Sequence, residues 1–216
     1  MNMSKNAIII LADNNENTII KCINSVLYNA VKPYMIIVID NYSSDNTYQK
    51  ITEKFQIKNI EDNISINFDS INLKIFRKPK TNRSISLNIG LQIIDSSVDN
   101  IGILNGNSFY EYNKIEECSK ILDRYTFVGG IVNDFCCKRS CDSHSIVKNL
   151  QPFDINKFIF KYDYDSNFFF KYRMLKLIGL FDIKAKFEDY EFLRRLSTRG
   201  LLYHIPKILH HNIINE

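Results

Sequence analysis

The chain has 216 residues, a formal net charge of +4 and a pI near 8.7. A domain of that length can bury a sizeable core, and 45% hydrophobic with 24% charged residues excludes disordered and collagen-like classes. No apolar run nears the roughly 18 residues of a membrane-spanning helix. The start, MNMSKN, is not followed by the apolar core of a secretory leader. A cytoplasmic protein is expected, with peripheral attachment to the inner face of a membrane left open. The basic excess is spread out except between Lys74 and Arg83, which argues against a nucleic-acid partner. Ile occurs 34 times and Asn 25 times against 4 Ala, so an isolated Asn carries little weight. The five cysteines, an odd number, point to reduced thiols. Cys136, Cys137, Cys141 and His144 crowd into CCKRSCDSH, but zinc ligands come in separated pairs, so this reads as a Cys-rich loop.

Ala7–Ala12 is short, continuous and β-branched, the pattern of a buried strand. Ile19, Ile20, Ile23, Val26, Leu27 and Ala30 then follow helical spacing, with Asn14 or Asn15 expected as the N-cap and Pro33 as the stop. Tyr34–Asp40 is a second buried strand, and Ser43 or Ser44 can cap the next helix. The stretch from Ile51 to Leu73 carries no clear period. LKIFRK predicts a third strand, and Ile85, Ile89, Ile93 and Ile94 share a helix face. Asn100–Leu104 reads as a fourth strand, a helix follows from about Lys114 to Asp123, and YTFVGGIV is a fifth strand. FEDYEFLRRLSTRG is a helix closed by Gly200, and LLYHI is a final short strand. Strands alternating with helices predict an α/β domain around a mostly parallel sheet.

Ligands of open α/β sheets sit beyond the carboxyl ends of the strands. Here those ends carry Ala12–Asn17, Asp40–Ser44, Asn105–Asn107 and the loop entering the Glu188 helix. No G-x-G-x-x-G, Walker A or G-x-S-x-G motif is present, which argues against dinucleotide-dependent dehydrogenases, P-loop enzymes and Ser-His-Asp hydrolases.

Four segments in order resemble the family-2 glycosyltransferases of the GT-A fold. IIILADNNENTIIKCINSVL and IIVIDNYSSDNT are similar to the family's opening strand-turn-helix and its V-V-D-D-G-S-x-D-x-T strand end. NRSISLNIG resembles N-x-G-x-x-x-A-R-N-x-G, and GLFD ahead of FEDYEFLRRL resembles G-G-F-D before an E-D helix. The resemblance implies a single GT-A-like domain over 1–216, with a nucleotide-sugar half at 1–107 and an acceptor half at 108–216. The implied reaction is inverting transfer from a nucleotide sugar, most simply UDP-linked, to the hydroxyl of a glycan, lipid-linked or protein acceptor, in the synthesis of a bacterial surface glycan or glycoconjugate. It further implies that Asp40 binds the base, with Ala12, Asn14, Asn15, Glu16, Arg83 and Asn105 lining the donor pocket. Asp189 would be the catalytic base beside Glu188; a carboxylate in a helix's first turn is favoured by the unpaired N–H groups there.

The chain departs from the family at the metal site. ILNGNSF puts Asn105 and Asn107 where D-x-D would stand, and Leu87 replaces the A-R-N arginine. Mn²⁺ and Mg²⁺ prefer carboxylates. Three readings stay open. Arg83, Lys80 or Lys78 could offset the diphosphate charge, with metal weakly bound or dispensable. A metal could bind through Asn105, Asn107 and His210 or His211, of which Asn107 and His211 are the expected ligands. Or the chain is an inactive pseudo-glycosyltransferase that stabilises an active partner. The literal D-x-D at Asp163–Asp165 lies in the wrong half, and homo- or hetero-oligomer association is undetermined.

Overall fold

The computed structural model describes residues 4–58, 61–139, 145–148 and 167–214. Cys141, His144, Asp163 and Asp165 lie outside the described residues.

The centre of the molecule follows from two strands with no polar face. β1 (Asn6–Ala12) and β2 (Met35–Asp40) are buried along their whole length. They pair in parallel, and β1 pairs in parallel on its other side with β5 (Asn100–Asn105). Successive side chains of β1 enter two different cores. Ile8, Ile10 and Ala12 meet α1 (Ile19–Leu27) and α4 (Lys114–Arg124) in one; Ala7, Ile9 and Leu11 meet α3 (Arg83–Ile93) and α6 (Glu188–Arg199) in the other. A strand between two helical layers needs apolar residues at every position, which is why these runs do not alternate. β4 (Ile71–Arg77) extends the parallel set beyond β2.

Around that parallel centre the sheet is mixed, in the order β3-β4-β2-β1-β5-β9-β7-β10-β6, with β8 (Ser145–Lys148) on β7. The unassigned stretch after Ile51 holds the end of α2 (Thr47–Lys54) and β3 (Asn63–Phe68), which forms an antiparallel hairpin with β4. β3 is an edge strand with exposed residues at alternate positions, so its apolar signal is diluted. β9 (Phe169–Lys171) inserts antiparallel between β5 and β7 (Val128–Arg139). The last strand runs much further than LLYHI. β10 (Leu201–Ile214) continues parallel to β7 through Pro206, where the register shifts between Ile205 and Ile208, and then pairs antiparallel with β6 (Ser108–Tyr110). Proline cannot donate to a ladder, and the bulge lets the strand pass it.

Helix starts differ from expectation in two places. α1 begins after Thr18, with the Asn15 carbonyl accepting from Thr18 and Ile19. α2 begins after Asn46, and Asp45 rather than a serine accepts the Thr47 N–H at 2.9 Å. α3 is capped as its sequence suggests, Asn82 Oδ1 accepting from the Ile85 N–H at 2.9 Å. A single 3-10 turn (Tyr172–Met174) and the short α5 (Leu175–Ile178) lead to Gly179, whose φ of +74° turns the chain toward α6. Gly200 ends α6 with its N–H on the Leu196 carbonyl, in extended rather than left-handed backbone.

The β5–β9 seam is closely packed. A Cβ on Gly102 would lie 2.6 Å from the Phe169 ring and 2.8 Å from Ile8 Cδ1. Gly102→Ala is expected to destabilise the protein by about 1–3 kcal/mol through overpacking. Urea unfolding followed by circular dichroism checks this; an unchanged midpoint would show that the ring yields freely.

Candidate active site

The carboxyl ends of β1, β2 and β5 form one edge of the sheet, and the loops that follow are laced to one another by polar groups. Ser43 Oγ accepts from the Asn14 N–H, Asn14 Oδ1 accepts from the Ser44 N–H, and Thr47 Oγ1 accepts from the Asn15 N–H, all within 3.0 Å. Glu16 Oε2 accepts from both the backbone and side chain of Asn46, and Asp45 accepts from the Glu16 N–H. Asn14 holds a φ of +53°, a conformation asparagine tolerates better than most residues. Asn15 Oδ1 accepts from the Asp13 N–H at 2.8 Å. Most of the expected pocket residues therefore shape the loops through their polar groups.

Asp40 departs from its expected role. Its side chain has no exposed surface, and the carboxylate accepts from Ser43 Oγ at 2.5 Å while Arg77 Nε lies 3.4 Å away. Burial raises its pKa above the ordinary carboxylate value, against the opposing effects of the Ser43 hydrogen bonds and the Arg77 charge. It holds the β2 turn together from beneath and has no surface to offer a base. Ala12 is equally enclosed, its carbonyl taken by the Asn41 N–H. Beside that turn stand Asp13, Asn41 and Tyr42, which lie in the strand-end stretches named in the sequence but were given no individual role there. Asn41 donates to Asp13 Oδ2 at 3.1 Å and to the Thr81 carbonyl, and accepts from the Thr81 N–H at 3.0 Å. Asp13 also meets Lys80 at 3.2 Å, and Tyr42 is exposed beside the Arg77 guanidinium. Asn41 follows Asp40 directly, so the neighbouring position in the same motif was the available signal.

The acceptor-side carboxylates reach this edge because α3 holds their loop in place. Asn88 clamps Phe181 through both backbone groups, donating to its carbonyl at 2.9 Å and accepting its N–H at 2.8 Å. Asn82 donates to the Ile183 carbonyl and Ser84 to the Asp182 carbonyl. From the other side, Arg195 donates to the Ile178 and Leu180 carbonyls while pairing with Glu191 at 2.6 Å. Glu188 and Asp189, in the first turn of α6, thus stand opposite the start of α3. Arg83 joins them: Nη1 donates to Asp189 Oδ1 at 2.5 Å and to Glu188 Oε1 at 3.4 Å, and Nη2 to Asn105 Oδ1 at 3.4 Å. Four of the expected residues meet there, from α3, β5 and α6, all partly buried.

The expected metal ligands do not converge. Asn107 Nδ2 donates to the Ile213 carbonyl at 3.0 Å and its Oδ1 accepts from Ser108. His211 turns to Glu111 and stacks on Phe109, while His210 stacks on Phe135 and meets Asn133. Among the described residues no three His, Cys, Asp or Glu side chains group as a metal site. A guanidinium already donates to Asn105 and Asn107 is tied to the last strand, so among the described residues these side chains do not fit a divalent metal. Leu87, in the place of the A-R-N arginine, is wholly inside the apolar core. Cys22 and Cys118 are buried, and burial raises both thiols. No described helix is long and apolar enough to cross a membrane.

Comparison with known proteins bears on the family and the fold. The model of "Glycosyl transferase family 2" matches residues 7–179. No curated protein matches the sequence. Among solved structures, S. aureus TarS 1-349 in complex with UDP-GlcNAc superposes with a TM-score of 0.74 at 15% identity, covering 98% of this chain and 59% of that one. The mannosyltransferase PcManGT from Pyrobaculum calidifontis, in complex with GDP-Man and Mn²⁺, superposes with a TM-score of 0.69 at 13% identity, covering 97% of this chain and 56% of that one. At such identities the likeness establishes the GT-A fold, and the chain spans about three-fifths of these longer proteins.

Because Asp40 sits beneath the turn, its loss should register as stability. Asp40→Ala breaks a buried pair and leaves the Ser43 hydroxyl without its acceptor, so urea unfolding is expected to show a loss of about 3 kcal/mol. A loss under about 1 kcal/mol would show that the turn holds without it.

Proposed function

Since the chain belongs to glycosyl transferase family 2, we propose that it transfers a sugar from a nucleotide-sugar donor to an acceptor hydroxyl with inversion, Asp189 acting as the base. The observation that carries this reading is the meeting of Asp189, Glu188, Arg83 and Asn105 at the carboxyl edge of the sheet, beside the strand-end loops. That edge is where open α/β sheets bind ligands. The ligands of the two structural neighbours, UDP-GlcNAc and GDP-Man, support the donor class.

In the proposed reaction the acceptor oxygen forms its bond to the anomeric carbon as the bond from that carbon to the diphosphate oxygen breaks. The bonding pair leaves with the diphosphate, and the acceptor proton passes to an Asp189 carboxylate oxygen. Attack from the face opposite the leaving group inverts the anomeric centre. Asp189 suits the step because it is held by Arg83 on one side while remaining partly exposed, about 18% of its side-chain surface. Glu188 shares the same guanidinium and supports that orientation. The donor lies, on this reading, over the loops carrying Asp13, Asn14, Asn41 and Tyr42, with Asn15 and Glu16 fixing their shape. The acceptor, a glycan, lipid-linked or protein hydroxyl in surface-glycan synthesis, enters from the α5–α6 side.

Asp189→Asn keeps the size of the side chain and removes its capacity to take a proton. Transfer from a panel of UDP- and GDP-sugars is expected to fall by about 10²–10⁴-fold, the usual worth of general-base catalysis, with donor affinity little changed. Equal rates in parent and variant would assign the base elsewhere. A parent that binds nucleotide and transfers to no acceptor fraction would instead indicate a pseudoenzyme that stabilises a partner.

A further inference from the structure

The misfit with a divalent metal leaves a question of charge: a departing diphosphate needs a cation, and the two family aspartates that would hold one are neutral amides here. The basic stretch offers five candidates, and their positions separate them. Lys74 lies within β4. Arg77 pairs with Asp40, Lys78 donates to Asn63 Oδ1 at 3.0 Å, and Lys80 pairs with Asp13 at 3.2 Å. Arg83 alone of the five touches both Asn105 and the carboxylates of α6.

We propose that the Arg83 guanidinium takes the place of the divalent cation in this chain, meeting the donor's diphosphate while it holds Asp189. The inference rests on the donor reading above. A guanidinium has five N–H donors in a fixed fork. Nη1 is committed to Asp189 and Glu188, whereas Nη2 makes, among the described residues, one long bond to Asn105 at 3.4 Å and carries a second hydrogen. Donor capacity therefore remains on the group after the carboxylates are served, and phosphate oxygens match its planar geometry. The surroundings complete the argument. Asn105 and Asn107 add no negative charge that would draw in a dication, and Asn107 is tied to Ile213. A dication seated beside Asn105 would also compete with the guanidinium for the Asn105 side-chain oxygen. With Glu188 and Asp189 balancing it, Arg83 links the leaving group to the base: the charge that develops on the diphosphate falls on the group that orients the proton acceptor.

The test is calorimetric titration of the full chain with UDP and with GDP, in EDTA and again with Mn²⁺. The expected result is an affinity for one of them that is the same in both conditions. Arg83→Gln should weaken it by about tenfold or more, as for loss of a charge-assisted hydrogen bond, with Mn²⁺ giving no rescue; Arg83→Lys should recover part. Adding Asn105→Asp and Asn107→Asp to Arg83→Gln should make binding depend on Mn²⁺. Binding by the parent that is lost in EDTA and restored by Mn²⁺ overturns the inference and leaves the donor reading standing. That comparison needs no variant, so a misfolded Arg83→Gln would not obscure it. An Arg83→Gln protein that unfolds thermally like the parent and binds equally well also overturns it. Failure of the parent to bind either nucleotide in both conditions overturns the donor reading together with this inference.

Discussion

The seam between α3 and the loop that enters α6 is the contact on which the site depends. Two asparagines, a serine and an arginine on α3 reach across to the acceptor side, and each meets backbone or carboxylate rather than another apolar surface. Hydrogen bonds have preferred directions and apolar packing does not, so this seam sets the loop's orientation as well as its distance. Asn88 gripping both backbone groups of Phe181 makes the point most clearly. The Phe181 ring then packs against Phe192 at 4.2 Å between centroids, which ties the same loop to α6. Glu188 and Asp189 inherit their positions from these contacts.

The loops after β1 and β2 are built on the same economy with a different result. Its loops carry many polar residues, and most of their groups are spent on one another. Asp40, Ser43, Asp45, Asn15 and Glu16 satisfy backbone N–H groups that the strand ends and helix starts leave open. A buried carboxylate under a turn is a costly way to hold a loop, and Arg77 with Ser43 offsets part of that cost. Rigid loops of this kind suit a site that must present a few groups in fixed positions. The groups left facing outward, on Asp13, Asn14, Tyr42 and Ser44, are few.

Two amides at a sheet edge need not leave it without charge. Arg83 stands with Asn105 and two acids from another element. The amides fall to different duties, Asn105 against Arg83 and Asn107 against the last strand.

The central strands, the helices between them and the likeness to a glycosyltransferase family were legible in the residues themselves. Each rests on a local signal: unbroken β-branched runs in β1 and β2, helical spacing in α1, and short motifs at the strand ends; α3 is a helix as expected, but it buries Leu87, Gly90 and Leu91 rather than Ile85, Ile89 and Ile93. Local signals failed where pairing partners are distant. β9 is three residues long and β10 carries a proline, so each becomes a strand only by joining a neighbour far away in the chain; β3 pairs with the very next strand, and its exposed alternate positions dilute its apolar signal instead. The site divides the same way. Asp189 and Glu188 could be singled out from their place at a helix start. That Asp40 is fully enclosed, that Asn41 joins Asp13 to Thr81, and that Arg83 meets Asp189 across 106 positions were decided by tertiary packing. A strand buried on both faces gives no alternation to tell inside from outside, and an ion pair between distant residues leaves no period in the sequence.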